Sequence, residues 1–232
     1  PLGSADFAYY VRRDVASQIW QSSAITVPHQ VEATTQYAEA YKELRSSATW
    51  GEAGILDGQF SFPKGLAIDS EGNVFVADSQ NHRIQKFDSE GNPLGQWGGD
   101  GPGAGEFLEP VGIAVDQEGN LYVADTWNQR IQVFDGEFQF LRQWTVQAWM
   151  GQSIVNKPYL AVDDRGYVYT TDPEASRVLV FNSEGELVTI FGKYGTDEAS
   201  FDLPTGIEVD GEGNLYVSDS NNHRIMKFSP VE

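Results

Sequence analysis

The sequence predicts an all-β fold built from repeated small antiparallel sheets. An aspartate recurs every 47 residues, at Asp78, Asp125, Asp172 and Asp219. An arginine follows each aspartate five residues later, at Arg83, Arg130, Arg177 and Arg224. Short β-branched and aromatic segments alternate with Gly and Asn turns, which is typical of successive hairpins. Because both faces of each sheet carry apolar residues, the copies must stack, and such a period indicates a propeller or a solenoid.

Each copy contains short predicted strands, named a to d. In the first copy they lie near 65–69, 73–78, 83–88 and 93–97. The later copies start at Gly112, Tyr159 and Gly206. The last copy ends after strand c, so we expect an N-terminal strand near 44–50 to complete it, because Trp50 lies 47 residues before Trp97. Such a strand would close a ring of four clear blades and remove exposed sheet edges.

The copies resemble NHL repeats, a family named for an Asn-His-Leu stretch. The pattern appears as Val-Ala-Asp-Ser-Gln-Asn-His-Arg-Ile at 76–84 and as Val-Ser-Asp-Ser-Asn-Asn-His-Arg-Ile at 217–225. The second copy has Gln129 in place of the histidine, and the third has Ala175-Ser176 in place of the Asn-His pair. The resemblance covers roughly residues 50–230. It implies a propeller that serves as a binding platform, usually with six blades.

The N-terminal part does not follow the repeat. Residues 1–4, Pro-Leu-Gly-Ser, have the sequence of a remnant left by a cleaved expression tag. Residues 5–43 form a separate segment with predicted strands and a short predicted helix over 31–44, where apolar residues have helical spacing. Two interpretations remain open: this segment caps a four-bladed propeller, or it forms a degenerate fifth blade. In both cases residues 44–232 form the NHL-repeat propeller.

Composition narrows the classes of function. The chain carries 34 acidic and 15 basic residues, for a formal net charge of −19. Nucleic-acid binding depends on Lys and Arg contacts to phosphates, so we expect no nucleic-acid partner. A protein, a peptide (a basic one in particular) or a glycan suits the charge better. No apolar run is long enough to insert into a membrane, and the absence of cysteine excludes disulfides and thiolate catalysis.

The most regular residues are expected to maintain the fold. One Asp and one Arg per b–c hairpin predict turn hydrogen bonds and an ion pair in each copy. His82 and His223 belong to the same motif, so we assign them to the hairpin and not to a metal. The a–b turns lack the ligand spacing of an EF-hand, and no serine lies in a nucleophile elbow. We therefore expect no catalytic residue, no cofactor and no metal.

Departures from the repeat are the candidate binding residues. Tyr159 replaces the glycine that opens strand a in the other copies. Glu208 replaces an alanine in the innermost strand, where it should face the central channel or pair with an arginine. Four apolar side chains lie in predicted b–c or d–a loops, which emerge on one face of a propeller: Trp127, Trp149, Met150 and Tyr194. They form one recognition patch, cover blade edges or dock residues 5–43.

The favoured function is therefore a non-enzymatic binding or scaffold propeller that recognises a protein, a peptide or a glycan through its loop face. One alternative makes the chain a soluble extracytoplasmic domain of a larger bacterial membrane protein, such as a sensor kinase or a membrane glycosyltransferase. An extracytoplasmic location is favoured over a cytoplasmic one on that basis. Another alternative is a metal-dependent lyase or hydrolase, because some propeller lyases related to NHL proteins use histidine-rich metal sites.

Overall fold

The computed structural model describes Ser46, residues 48–150 and residues 156–231. Nearly all of them belong to one unit, Ala48–Glu232. The cap, the fifth blade and the helix predicted for 5–43 lie outside the described residues. The described part is a β-propeller of four antiparallel sheets, or blades, that follow one another along the chain. The all-β propeller prediction is confirmed.

The strands of the blades agree closely with the predicted ones. A parallel pair, β1 (Glu52–Ala53) and β2 (Gln59–Phe60), precedes the first blade. Blade 1 contains β3 (Pro63–Ile68), β4 (Val74–Asp78), β5 (Arg83–Phe87) and β6 (Pro93–Gly98). Blade 2 contains β7 (Pro110–Val115), β8 (Leu121–Asp125), β9 (Arg130–Phe134) and β10 (Phe140–Thr145). Blade 3 contains β11 (Leu160–Val162), β12 (Val168–Asp172), β13 (Arg177–Phe181) and β14 (Leu187–Phe191). Blade 4 contains β15 (Pro204–Val209), β16 (Leu215–Asp219) and β17 (Arg224–Phe228).

Three of the b–c hairpins contain one 3₁₀ turn each, at Ser79–Asn81, Thr126–Asn128 and Pro173–Ala175; a further 3₁₀ turn, Gln147–Trp149, lies after blade 2. In each of those hairpins the residue that follows the turn adopts the left-handed conformation, for example His82 at φ 53°. Gln129 and Ser176 adopt it in the second and third hairpins, and His223 does so in the fourth. Polar side chains tolerate this conformation better than branched ones. The motif histidine is thus one of several side chains that fit this position.

The hydrophobic core lies between consecutive blades. Because side chains alternate along a strand, each blade has a front face toward the preceding blade and a back face toward the next one. Phe75 and Ile84 on the back face of blade 1 pack with Ile113 and Leu121 on the front face of blade 2. Equivalent clusters join blade 2 to blade 3 and blade 3 to blade 4. The blades therefore stabilise one another pairwise along the chain.

The innermost strands approach each other closely, and this explains the glycine that opens strand a. A Cβ atom at Gly65 would lie 2.0 Å from the carbonyl oxygen of Val111 in the next blade. A Cβ atom at Gly112 would lie 2.9 Å from the Cα atom of Tyr159. In blade 3 the inner strand is shorter and begins only at Leu160, so Tyr159 precedes it. The side chain of Tyr159 is accommodated because the third copy enters its inner strand later.

The front face of blade 1 and the back face of blade 4 have no blade packed against them in the described part of the chain. Leu66 on β3 is 66% exposed, although its equivalents are 5–7% exposed: Ile113, Leu160 and Ile207. Ile68 on the same face is 60% exposed. On blade 4, Tyr216 is half-buried, whereas the equivalent Tyr122 and Tyr169 are fully buried. Among the described residues, the four blades thus form an arc whose two end faces have no neighbouring blade.

The predicted ring-closing strand near 44–50 is not observed where the structure describes it. Residues 48–50 are not in a strand, and the sheet of blade 4 has three strands among the described residues. Trp50 instead packs on Gly91 of blade 1, in the way that Trp144 packs on Gly185 of blade 3. The chain then turns at Gly51, at φ 94°, into the parallel pair β1–β2. Trp50 keeps the strand d position toward blade 1 without pairing with β17.

Candidate functional site

In blades 1, 2 and 4 the Asp–Arg pair ties the b–c hairpin to the d–a connector that precedes it. In blade 2, Arg130 Nε donates to Asp125 Oδ2 over 2.8 Å. The terminal nitrogens of Arg130 donate to three connector carbonyl oxygens, those of Pro102, Gly103 and Glu106. Asp125 Oδ1 accepts a hydrogen bond from the backbone of Leu108 over 2.7 Å. One buried ion pair therefore fixes the path of a whole connector.

The same arrangement recurs in blades 1 and 4, through Arg83 with Asp78 and Arg224 with Asp219. In blade 3, Arg177 Nε donates to Asp172 Oδ2 over 2.8 Å. All four aspartates are buried, with exposures of 0–1%. These carboxylates therefore face the protein interior, and their geometry gives them no access to a ligand on the surface.

The connectors and the b–c hairpins form one end of the propeller, which we call the loop face. The Gly98–Gly105 segment lies here as a connector between β6 and β7, closed by a bridge between Asp100 and Phe107. Tyr194 and Met150 are the most exposed candidate side chains on this face, at 75% and 69%. The connector of Tyr194 is held by hydrogen bonds from Arg224 to its carbonyl oxygens, so a fixed backbone presents this aromatic side chain to solvent.

Trp149 does not belong to this exposed set, so of its predicted roles it fits covering a blade edge and not the recognition patch. It ends the 3₁₀ turn Gln147–Trp149, is 1% exposed and packs in the core between blades 2 and 3. The other connectors carry a signal for this placement, since Phe107 and Phe201 in them are also fully buried. An apolar side chain in a d–a connector can therefore fill the core beneath the loop face.

Glu208 also differs from its prediction. It is exposed on the back face of blade 4, makes no ion pair with another described residue and does not line the central cavity. At the same position Ala67, Ala114 and Ala161 pack toward the next blade, and no further blade is described beyond blade 4. Partial desolvation raises the pKa of the Glu208 carboxyl above its usual range. The carboxylate is tolerated because no blade among the described residues covers this face.

A central cavity of about 570 Å³ opens between the inner strands. Residues from all four blades or their connectors line it: Lys64, Val111, Asn156, Lys157, Tyr159, Thr205, Gly206 and Ser218. Of the predicted binding residues, only Tyr159 belongs to this set, and it is 36% exposed. Lys64 and Lys157 were not predicted, because nothing in the repeat pattern indicates which side chains meet at the axis.

A charged cluster borders the cavity beside Trp127. Glu109 accepts hydrogen bonds from Lys64 Nζ and from Trp127 Nε1, each over 2.5 Å. The ammonium of Lys157 lies 3.9 Å from the ring centroid of Trp127 and 3.8 Å from Glu109 Oε2. Burial alone would raise the pKa of Glu109, but the hydrogen bonds from Lys64 and Trp127 outweigh it and hold that pKa below its usual range. Burial lowers the pKa of Lys157.

His82 and His223 lie at the left-handed positions of their hairpins, as described above. The Nδ1 atom of His82 lies 3.5 Å from the backbone nitrogen of Glu109 and 3.9 Å from a carboxylate oxygen of Asp100. Within the described ranges no group of three His, Cys, Asp or Glu side chains is placed to hold a metal ion.

Comparisons with known proteins identify the repeat. The family model described as NHL repeat matches residues 60–87, 107–134 and 201–228. Over 42 residues, or 18% of the chain, it is 52% identical to the B-box type zinc finger protein ncl-1 of Caenorhabditis elegans and 50% identical to the protein brain tumor of Drosophila melanogaster. These stretches cover 5% and 4% of those two proteins. The chain thus matches about a twentieth of the length of these curated relatives.

Among solved structures, virginiamycin B lyase from Staphylococcus aureus is similar with a TM-score of 0.50. The match covers 71% of this chain and 54% of the lyase, at 17% sequence identity. Identity at this level shows a common fold and carries no information on activity.

Proposed function

Because this chain is an NHL-repeat β-propeller, we propose that it is a non-enzymatic binding platform that holds a protein or peptide on its loop face. The observation that supports this proposal most directly is the construction of that face. The Arg224–Asp219 pair fixes the connector that carries Tyr194, and the side chains of Tyr194 and Met150 are exposed. Exposed apolar side chains on a rigid backbone bind with little loss of conformational entropy.

The roles of the polar residues favour binding over catalysis. The four motif aspartates are buried in ion pairs with arginines, and the two motif histidines serve as left-handed hairpin residues. These side chains are therefore engaged in holding the loops. A catalytic acid, base or nucleophile would need access to a substrate.

A peptide display screen tests the proposal. We expect the propeller to enrich peptides that bind in the micromolar range and that lose at least about tenfold in affinity to a Tyr194→Ala/Met150→Ala variant. Leu94→Ala/Leu187→Ala is the matched control, because both leucines are exposed on outer strands away from the loop face. The proposal fails if the control variant loses affinity equally, or if no enriched peptide depends on the loop face.

The cellular location of this protein, its membership of a larger protein and a glycan ligand are further parts of the proposal. No helix among the described residues is long and apolar enough to cross a membrane. The extracytoplasmic location, the larger bacterial membrane protein and a glycan ligand stay predictions. The full-length gene tests the first two, since upstream apolar segments of about 20 residues are the signature of membrane anchoring.

A further inference from the structure

The central cavity has a charge opposite to that of the protein as a whole. Among the described residues, its lining contains two lysines, Lys64 and Lys157, and no acidic side chain, although the formal net charge of the chain is −19. Three further lining residues carry hydroxyl groups: Tyr159, Thr205 and Ser218. Low-dielectric walls concentrate the field of such charges inside a concave site. The cavity therefore favours a negatively charged group.

Lys157 is the unusual member of this lining. Its side chain is 3% exposed, and its ammonium nitrogen has no hydrogen-bond partner in the described part of the protein. The nearest carboxylate oxygen, Oε2 of Glu109, is 3.8 Å away, which exceeds a hydrogen-bond distance. Buried polar groups are nearly always hydrogen-bonded, and leaving a buried charge without an acceptor is costly. The N–H donors of Lys157 therefore have no acceptor among the described residues, although the side chain lines the cavity.

Glu109 does not neutralise the two lysines completely. Its carboxylate is occupied by Lys64 Nζ and Trp127 Nε1, each at 2.5 Å. Two positive charges and one negative charge leave this cluster with a net charge of +1. The indole of Trp127, 3.9 Å from the Lys157 ammonium, orients that group and forms an aromatic wall beside it. One monovalent anion would balance the cluster.

We propose that the central cavity binds a carboxylate group, with Lys157 as the main donor and Lys64 as the second cation. The carboxylate belongs to a peptide held on the loop face or to a small molecule within the cavity. This inference rests on the proposed binding function and names the chemistry that the platform recognises at its axis. A carboxylate matches the single net charge and accepts the unused hydrogen bonds of Lys157.

Calorimetric titration with benzoate and its neutral isostere benzamide tests the inference on the folded chain. We expect benzoate to bind at least about tenfold more tightly than benzamide, because charge-assisted hydrogen bonds are about twice as strong as neutral ones. Lys157→Met should remove this preference, and Lys64→Met should weaken it. Lys193→Met is the control and should keep it, because Lys193 is largely exposed on the connector after β14.

A second arm separates the two sources of the carboxylate. Peptides from the display screen are compared with a free and with an amidated C-terminus, and a preference for the free form indicates a peptide source. Equal binding of benzoate and benzamide, no benzoate binding at millimolar concentration, or full benzoate binding by Lys157→Met overturns the inference. The wild-type comparison and Lys64→Met keep it testable if Lys157→Met does not fold. Peptides that need Tyr194 and Met150, found together with equal binding of benzoate and benzamide, would contradict this inference and leave the proposed function intact.

Discussion

Ile84 and Ile225 occupy the same position of strand c in the first and fourth copies, yet Ile84 is fully buried and Ile225 is 68% exposed. The difference arises because the back face of blade 1 packs on blade 2, whereas no blade is described beyond blade 4. We expect Ile84→Ala to destabilise the protein by about 2–5 kcal/mol, through lost burial and a cavity. Ile225→Ala should change the free energy of unfolding by less than about 0.5 kcal/mol.

Chemical denaturation of both variants measures the two effects under the same conditions. A cost for Ile225→Ala as large as that for Ile84→Ala would show that the back face of blade 4 is covered in solution.

The Asp–Arg pairs offer a second matched comparison. Arg130 has a side chain that is 8% exposed, whereas the side chain of Arg177 is 34% exposed. Arg130→Met leaves Asp125 buried without its cation and should cost about 3–5 kcal/mol. Arg177→Met should cost less, because water reaches that pair. Thermal or denaturant unfolding distinguishes them, and equal costs would contradict the argument from burial.

The glycines that open strand a provide a steric test. Gly65→Ala places a Cβ atom 2.0 Å from the backbone oxygen of Val111, which the side chains cannot relieve. We expect a loss of stability of about 1–3 kcal/mol or more. At Gly206 the nearest atom is the Oγ of Ser218 at 2.9 Å, and a side chain can rotate away. Gly206→Ala should therefore be the milder change in a denaturation experiment.

Trp149 and Tyr194 are both aromatic residues of d–a connectors, but they have opposite exposure. Trp149→Ala should destabilise the protein by about 3–5 kcal/mol, because it empties the core between blades 2 and 3. Tyr194→Ala should leave stability nearly unchanged, because that side chain is 75% exposed. Unfolding curves and peptide affinity, measured together, separate the two roles. A stable Trp149→Ala variant would refute its assignment to the core.

The lowered pKa of Asp210, in the last a–b turn, predicts that the stability of the fold depends on pH. Hydrogen bonds from the side chain and backbone of Asn214, and from Glu212 and Tyr216, lower the pKa of Asp210 from 3.8 to about 2. Because the folded-state pKa is the lower one, its stabilising contribution is present above pH 3.8 and is lost as the pH falls toward 2. Asn214→Ala should raise the pKa of Asp210 toward 3.8.

An NMR titration of the Asp210 carboxyl between pH 2 and 5 follows this shift directly. Ser70→Ala, in the exposed a–b turn of blade 1, should leave the titration unchanged. If Asp210 titrates near 3.8 in the wild-type protein, the hydrogen bonds do not stabilise its charged form.

The repeat pattern predicts the strands and turns within a blade better than the environments of the side chains on its two faces. Strands such as β4 and β5 agree with their predicted bounds, because turn residues and alternating side chains specify a hairpin locally. The burial of Glu208 and Trp149 does not follow from the repeat pattern. It depends on whether a neighbouring blade covers the residue, or on how a connector packs over the core. The repeat pattern does not predict a role for Lys157, because which side chains meet at the propeller axis depends on how the blades are arranged around that axis.

The two end faces that lack a neighbouring blade in the described part of the chain have a consequence for assembly. Every internal interface joins a back face to a front face, and the arc presents one face of each kind at its ends. Another blade of the same type can therefore attach at either end, from the same polypeptide or another, without altering the blades already present. Association between copies would be head-to-tail, which gives a ring only when the rotation closes and an open helical filament otherwise. The geometry of a single blade therefore does not limit how many blades can stack in this way.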